Sequence, residues 1–85
     1  MNPMRIWLTA KCERDFVTAP HEVQKAFDKQ SGVLIQNLRH PSLRAKKYDE
    51  ATDVWQARIT RSWRFYFTIE GDTYRLTSIE NHRKK

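Results

Sequence analysis

The hydrophobic period changes once along this 85-residue chain, and that change fixes most of what it can fold into. Up to residue 38 the apolar positions are three or four apart or sums of those steps: Leu8, Cys12 and Phe16, then Val23, Phe27, Leu34 and Leu38. From residue 54 they alternate. "VWQARI" (54–59) sets Trp55, Ala57 and Ile59 against Gln56 and Arg58, and "WRFYFTI" (63–69) sets Trp63, Phe65 and Phe67 against Arg64 and Tyr66. A period near 3.6 specifies amphipathic helices, and a period of 2 specifies half-buried strands. The spacing therefore predicts helices over 9–18 and about 20–38, then strands over 54–59, 63–69 and 73–79. "MRIWL" (4–8) reads as a short first strand. The expected fold is α+β over a single domain, 1–85, in the order β-α-α-β-β-β. Its two N-terminal helices pack on one face of a mainly antiparallel four-stranded sheet, and the other face is at least partly open.

Local chemistry sets the boundaries. Thr18 could cap the second helix, with Pro20 in its first turn, where a missing N–H is harmless. Gly32 costs about 1 kcal/mol relative to Ala inside a helix, which leaves room for a kink or break near 31–32. Pro41 ends the helical region. "TRS" (60–62) is a tight link, and "EGD" (70–72) is a hairpin turn in which glycine supplies a positive φ. In "TYRLTSI" (73–79), Tyr74 and Leu76 argue for one face and Ile79 for the other, which a bulge would reconcile.

Charge narrows the function. The chain carries a formal +6, and residues 39–85 hold eleven basic against six acidic residues, hence +5. Such a field favours a polyanion: nucleic acid, an acidic protein segment or an anionic membrane surface. The membrane is the weakest of these, because the basic residues are not interleaved with an apolar helical stripe. The single cysteine, Cys12, excludes an internal disulfide and an all-cysteine metal site, and it falls on an apolar stripe. No apolar run approaches a membrane span or a secretory signal, so a cytoplasmic protein is expected. Two glycines leave no phosphate-cradling loop, and no cluster has metal-ligand spacing, so no cofactor is expected.

Arg58 and Arg64 fall on adjacent, hairpin-linked strands, on the face away from the aromatic core and beside Tyr66. Guanidinium groups this close repel unless an anion lies between them, and a phosphate suits their paired donors. Arg44, Lys46 and Lys47 precede them in "SLRAKKYDE", Arg61 sits in the link, and His82 follows the last strand, ahead of Arg83. These are candidate substrate contacts, with His82 able to move a proton near neutral pH. Together they match the needs of RNA cleavage: a base for the 2′-hydroxyl, cations for the phosphorane and an acid for the leaving oxygen. Plainer roles stand beside these. Arg64 could pair with Glu70 or Asp72, and Arg58 with Asp53 or Glu80. His82, Lys46 and Lys47 could be solvated, Tyr66 could fill space, and His21 and His40 read as surface residues.

The succession "HPSLRAKKYD", "VWQARI", "WRFYF", the Gly-Asp turn and "IENHRK" resembles the toxins of the RelE/ParE superfamily, from bacterial type II toxin–antitoxin systems. The resemblance is close over 38–85 and looser over 1–37. It implies an αα-ββββ toxin with its site on a concave sheet face. It also implies an endoribonuclease that cuts mRNA in the ribosomal A site by 2′-hydroxyl attack, without metal, and so stops translation. Carried over by position, Arg64 contacts the scissile phosphate, Arg58 contacts phosphate or transfers a proton, and His82 is the general acid or part of the acid–base pair. Lys46 and Lys47 approach the RNA backbone. Gln56 stands where some relatives carry a lysine base. With Lys85 last in the sequence, the catalytic tyrosine that some relatives place farther along is expected to be missing. Glu80 and His82 remain as candidate bases. The implied partner is a cognate antitoxin with an acidic C-terminal segment. Two alternatives stay open, a ParE-type inhibitor of DNA gyrase and a non-catalytic basic module that binds nucleic acid, because one fold serves several functions.

Overall fold

The computed structural model describes residues 4–82. The chain runs β1 (Arg5–Leu8), α1 (Ala10–Thr18), α2 (His21–Gln36), a 3-10 turn (Pro41–Leu43), β2 (Lys46–Asp49), β3 (Val54–Arg58), β4 (Trp63–Glu70) and β5 (Thr73–Asn81). The five strands form one sheet in the order β1-β5-β4-β3-β2. Neighbours are antiparallel from β2 to β5, and β1 lies parallel to β5 at the far edge. The sheet thus has five strands, not four, and the order is β-α-α-β-β-β-β. The additional strand, "KKYD", has Tyr48 as its sole apolar residue, so periodicity does not reveal it. A bulge between Lys47 and Asp49 further breaks its alternation. Charged, short and bulged is how edge strands resist pairing with other chains.

Helix α1 stands in for β1 where that strand stops. Thr9 caps the helix: its hydroxyl oxygen accepts from the Cys12 N–H at 3.1 Å. The same hydroxyl donates to the Thr77 carbonyl at 3.3 Å, and the Thr9 N–H donates to the Leu76 carbonyl at 3.0 Å. One turn on, Asp15 Oδ2 accepts from the Ile79 N–H at 3.0 Å. Backbone groups along β5 beyond the end of β1 therefore still find partners.

Three helix-boundary expectations change. The Thr18 hydroxyl turns back to the Arg14 and Asp15 carbonyls, at 3.0 and 3.2 Å, and so closes α1. It does not cap α2, which opens at Pro20 with no side-chain cap. Helix α2 passes through Gly32 unbroken, with nothing packed where a Cβ would stand. It ends at Gln36, not near 38, because Asn37 is extended and its Oδ1 accepts from the Arg39 N–H at 2.9 Å. A short polar side chain that bonds the chain two residues on favours a turn over another helical residue.

The core lies between the helices and one sheet face. Phe65, Phe67, Leu34, Leu43, Leu76 and Cys12 are fully buried. Phe27 of α2 meets Phe65 edge-on at 5.5 Å, and Tyr74 meets Phe67 edge-on at 5.6 Å. The expected bulge in β5 is present: Tyr66 pairs with Ser78 but Phe67 with Leu76, leaving Thr77 as the extra residue. Leu76 and Ile79 can then both join the core. Gly71 has φ 63, at the first central position of the two-residue β4–β5 turn, as a type II′ hairpin requires.

Candidate active site

The sheet face turned away from the helices carries two cross-strand rows. One runs Lys46, Gln56, Tyr66, Ser78, and the next runs Arg58, Arg64, Glu80. Directly opposed residues hold their Cβ atoms about 4.5–5.5 Å apart, and like charges so placed are destabilising. Among the described residues neither Arg58 nor Arg64 forms an ion pair. The carboxylates that could have neutralised them are engaged elsewhere: Asp72 with Arg5 at 3.7 Å and Asp53 with Lys47 at 3.1 Å. Glu70 accepts from Thr68 at 3.0 Å. Glu80 stands opposite Arg64 in the row but accepts from Ser78 at 3.3 Å and forms no ion pair with Arg64.

Arg64 is fixed by the hairpin link that precedes it. Its Nη1 donates to the carbonyls of Thr60, Arg61 and Trp63, at 2.9, 3.1 and 3.1 Å. One nitrogen therefore holds the turn and orients the guanidinium plane, and the other nitrogens have no hydrogen-bond partner among the described residues. Burial presses the Arg64 pKa down, and the charge of Arg58 adds to this; Tyr66 acts the opposite way, and Arg44 adds a smaller push downward. Arg58 shows the same lack of a counter-charge in another form. Its Nε is buried and has no hydrogen-bond partner among the described residues. Leaving a buried charged donor unpaired costs more than the roughly 1–3 kcal/mol of a neutral one.

The backbone of Arg58 is held from behind. Gln30 of α2 is buried, and its Nε2 donates to the Arg58 carbonyl at 2.9 Å and to the Ser42 carbonyl at 3.1 Å. Its Oε1 accepts from the Ser42 hydroxyl at 3.4 Å. A single amide thus couples α2, the end of β3 and the turn leading to Arg44. Arg44 closes that turn in the left-handed region, at φ 47, which costs a non-glycine residue about 1–2 kcal/mol.

Tyr66 lies in the middle of the face. Its hydroxyl oxygen accepts from Gln56 Nε2 at 3.1 Å, and Tyr48 covers its ring edge-on at 5.0 Å. Burial raises the Tyr66 pKa, against the Gln56 bond, so the group is a phenol at neutral pH. With Gln56 occupying the oxygen as donor, the phenolic hydrogen is directed elsewhere. The face is therefore open at its rim and closed at its centre, where Gln56, Tyr66 and Ser78 are buried.

The remaining candidates divide. Lys46 is exposed at the end of the first row. Arg61 is exposed in the hairpin link. Lys47 points to the opposite face: its Nζ lies 5.7 Å from the Trp55 ring centroid and is held by Asp53, which raises its pKa, with Glu50 at 3.7 Å. His82 is exposed one residue past β5, its N–H donating to the Ser62 carbonyl. Alternation from Ser78 and Glu80 carries it toward the same face, but no hydrogen bond joins its imidazole to Arg58 or Arg64. Arg83 lies outside the described residues. The structure thus brings Arg58, Arg64, Tyr66 and Lys46 together, with Arg44 and Arg61 at the margin, and leaves Lys47 apart. Two residues escaped the sequence reading. Tyr48 shares the face because it stands two residues from Lys46. Gln30 lies at helical spacing between Phe27 and Leu34, and a polar residue on that stripe is its signal. Among the described residues no group of three His, Cys, Asp or Glu side chains could hold a metal ion.

No family model matches the sequence, and no curated protein matches it significantly. The fold, in contrast, has counterparts among solved structures. A chain of the archaeal RelE–RelB complex from Pyrococcus horikoshii OT3 superposes with a TM-score of 0.80 at 10% identity, over 99% of this chain and 100% of that one. The RelBE2 toxin–antitoxin complex of Mycobacterium tuberculosis gives 0.77 at 18% identity, over 94% and 99%. The Escherichia coli DinJ–YafQ toxin–antitoxin complex gives 0.77 at 12% identity, over 95% and 94%. At such identities the likeness is one of fold. The chain has the fold of RelE/ParE-like toxins, with two helices and a five-stranded sheet.

Proposed function

We propose that this chain is the toxin of a type II toxin–antitoxin pair and an endoribonuclease that cuts mRNA on the ribosome by 2′-hydroxyl attack. The observation that carries this reading is the Arg58–Arg64 pair: two opposed guanidinium groups on an open sheet face, without a carboxylate partner among the described residues and with a buried Nε unsatisfied. A phosphodiester beside them would relieve their repulsion. Because Arg64 is already locked by three carbonyls, little reorganisation accompanies the build-up of charge on the phosphorane, which is the condition for strong electrostatic catalysis. Tyr66, buried beside Gln56 and under Tyr48, forms the floor of the site. Glu80, last in the same row, is the acceptor for the 2′-hydroxyl proton, and His82 is the donor to the 5′-oxygen. All these groups belong to the chain itself. Lys46, Arg44 and Arg61 contact the flanking backbone.

The partner follows from the same charge. The solved neighbours from P. horikoshii and E. coli are toxin–antitoxin complexes, RelE with RelB and YafQ with DinJ. For this chain we propose a cognate antitoxin whose acidic segment covers the basic face. Co-expression of the adjacent two-gene unit should yield a complex, and recovery of free toxin alone would contradict it. Activity on ribosomes places the protein in the cytoplasm, and among the described residues no helix is long and apolar enough to cross a membrane.

The test is a translation reaction supplied with purified protein. Cut mRNA bearing 2′,3′-cyclic or 3′-phosphate ends supports the reading, and so does its loss in Arg64→Ala and His82→Ala. Intact mRNA with folded protein refutes it. Toxicity that persists in both variants and tracks DNA damage would assign the protein to gyrase inhibition instead.

A further inference from the structure

Beyond the sheet face, a recess of about 460 Å³ lies where α2 meets the β3–β4 hairpin, a size typical of small-ligand clefts. Among the described residues its cations are Lys29, Arg44, Arg58 and Arg61, and no Asp or Glu lines it. Four cations around one hollow repel each other unless an anion enters. The walls are also prepared for an anion. Carbonyl oxygens repel anions, but those of Ser42 and Arg58 already accept from Gln30, and those of Thr60 and Arg61 accept from Arg64. The hydrogen bonds that block these four carbonyls also fix the walls, so binding need not order them. Arg58 belongs to both the recess and the sheet face, and its buried Nε has no hydrogen-bond partner among the described residues.

We propose that this recess is a separate subsite for a non-scissile phosphate of the RNA strand, with Lys29 of α2 as a substrate-binding residue that acts outside the sheet face. The proposal rests on the nuclease reading for its choice of RNA. Arg58 then bridges two consecutive phosphates, one at the Arg64 pair and one in the recess beside Lys29, Arg44 and Arg61. This sets the path of the strand across the molecule, between the sheet face and α2 over the hairpin link.

The test uses the full chain and a single-stranded hexanucleotide with 2′-deoxy sugars, which cannot undergo 2′-hydroxyl attack. Binding should shift the Arg58 Nε–Hε resonance and the backbone amides of Lys29 and Ser42. Lys29→Ala, at an exposed position, should weaken binding about fivefold and lower the salt slope by about 0.7, the value for one single-strand phosphate contact. The proposal is overturned if the Arg58 resonance stays still or if Lys29→Ala changes neither affinity nor slope. Cleavage is scored separately. Wild type that binds in the recess but leaves mRNA intact defeats the nuclease reading and keeps the subsite. Wild type that cuts mRNA with no role for Lys29 does the reverse.

Discussion

Replacing Gln30 by Leu isolates the contact that ties the core to the site. Gln30 Nε2 serves two carbonyls, at 2.9 and 3.1 Å, and leucine keeps most of the volume while removing both donors. An acceptor left without its donor costs about 1–3 kcal/mol when it stays dry. The Ser42 carbonyl belongs to an exposed residue and can be rehydrated, so it falls at the low end; that of Arg58, on a half-buried residue, falls higher. The two together come to about 2–4 kcal/mol. Leucine on the Phe27–Leu34 stripe returns about 1 kcal/mol through burial of apolar surface. The net loss is therefore about 1–3 kcal/mol, a large share of the stability of a chain this size. Urea unfolding should show a lower midpoint at an unchanged slope. Cleavage by the folded fraction should fall as well, because Arg58 and the Arg44 turn lose their shared anchor. A midpoint equal to or above that of wild type, with full activity, would refute the view that this amide holds the site.

Three other outcomes follow from the contacts described. Arg64→Lys keeps the charge but cannot bridge three carbonyls and a phosphate at once, so the cleavage rate should drop about 10²-fold in a single-turnover assay. Burial, and then the charge of Asp15, push the Cys12 thiol up from 9.0 to about 12, so the fold favours its protonated form. Stability should be intact below about pH 9 and decline as pH climbs toward 12; Tyr66 and Tyr74, raised by burial, add in the same direction. A thiol reagent at pH 8 should label Cys12 only on unfolding, and Cys12→Ala should flatten part of the alkaline decline. Thr9→Ala removes the α1 cap and the bond to Thr77, and urea unfolding should register a loss of about 1–2 kcal/mol.

Much of this architecture is written in apolar spacing. Phe65 and Phe67 against Arg64 and Tyr66, and the conflict between Leu76 and Ile79, were enough to place three strands, their faces and the β5 bulge. What spacing could not convey was structure made by polar groups. Strand β2 is charged because it is an edge, and Tyr48 escaped notice with it. Thr18 had two backbone ends within reach, and only the tertiary path of the chain decides that it closes α1. Asn37 ended α2 by a local bond that competes with the helix. The Arg58–Arg64 pairing was legible because a short hairpin forces register. The unpaired Nε of Arg58, the triple anchor of Arg64 and the opposite orientation of Lys47 depend on neighbours far apart in sequence.

The central claim is that Arg58 and Arg64 hold a scissile phosphate, and the chemistry of the new mRNA ends tests it most directly. Mapping 3′ ends after translation with wild-type protein should show 2′,3′-cyclic phosphates, absent when Arg58 or Arg64 is changed to alanine in folded protein. Cleavage that survives both substitutions, or ends bearing a 3′-hydroxyl, would contradict the account.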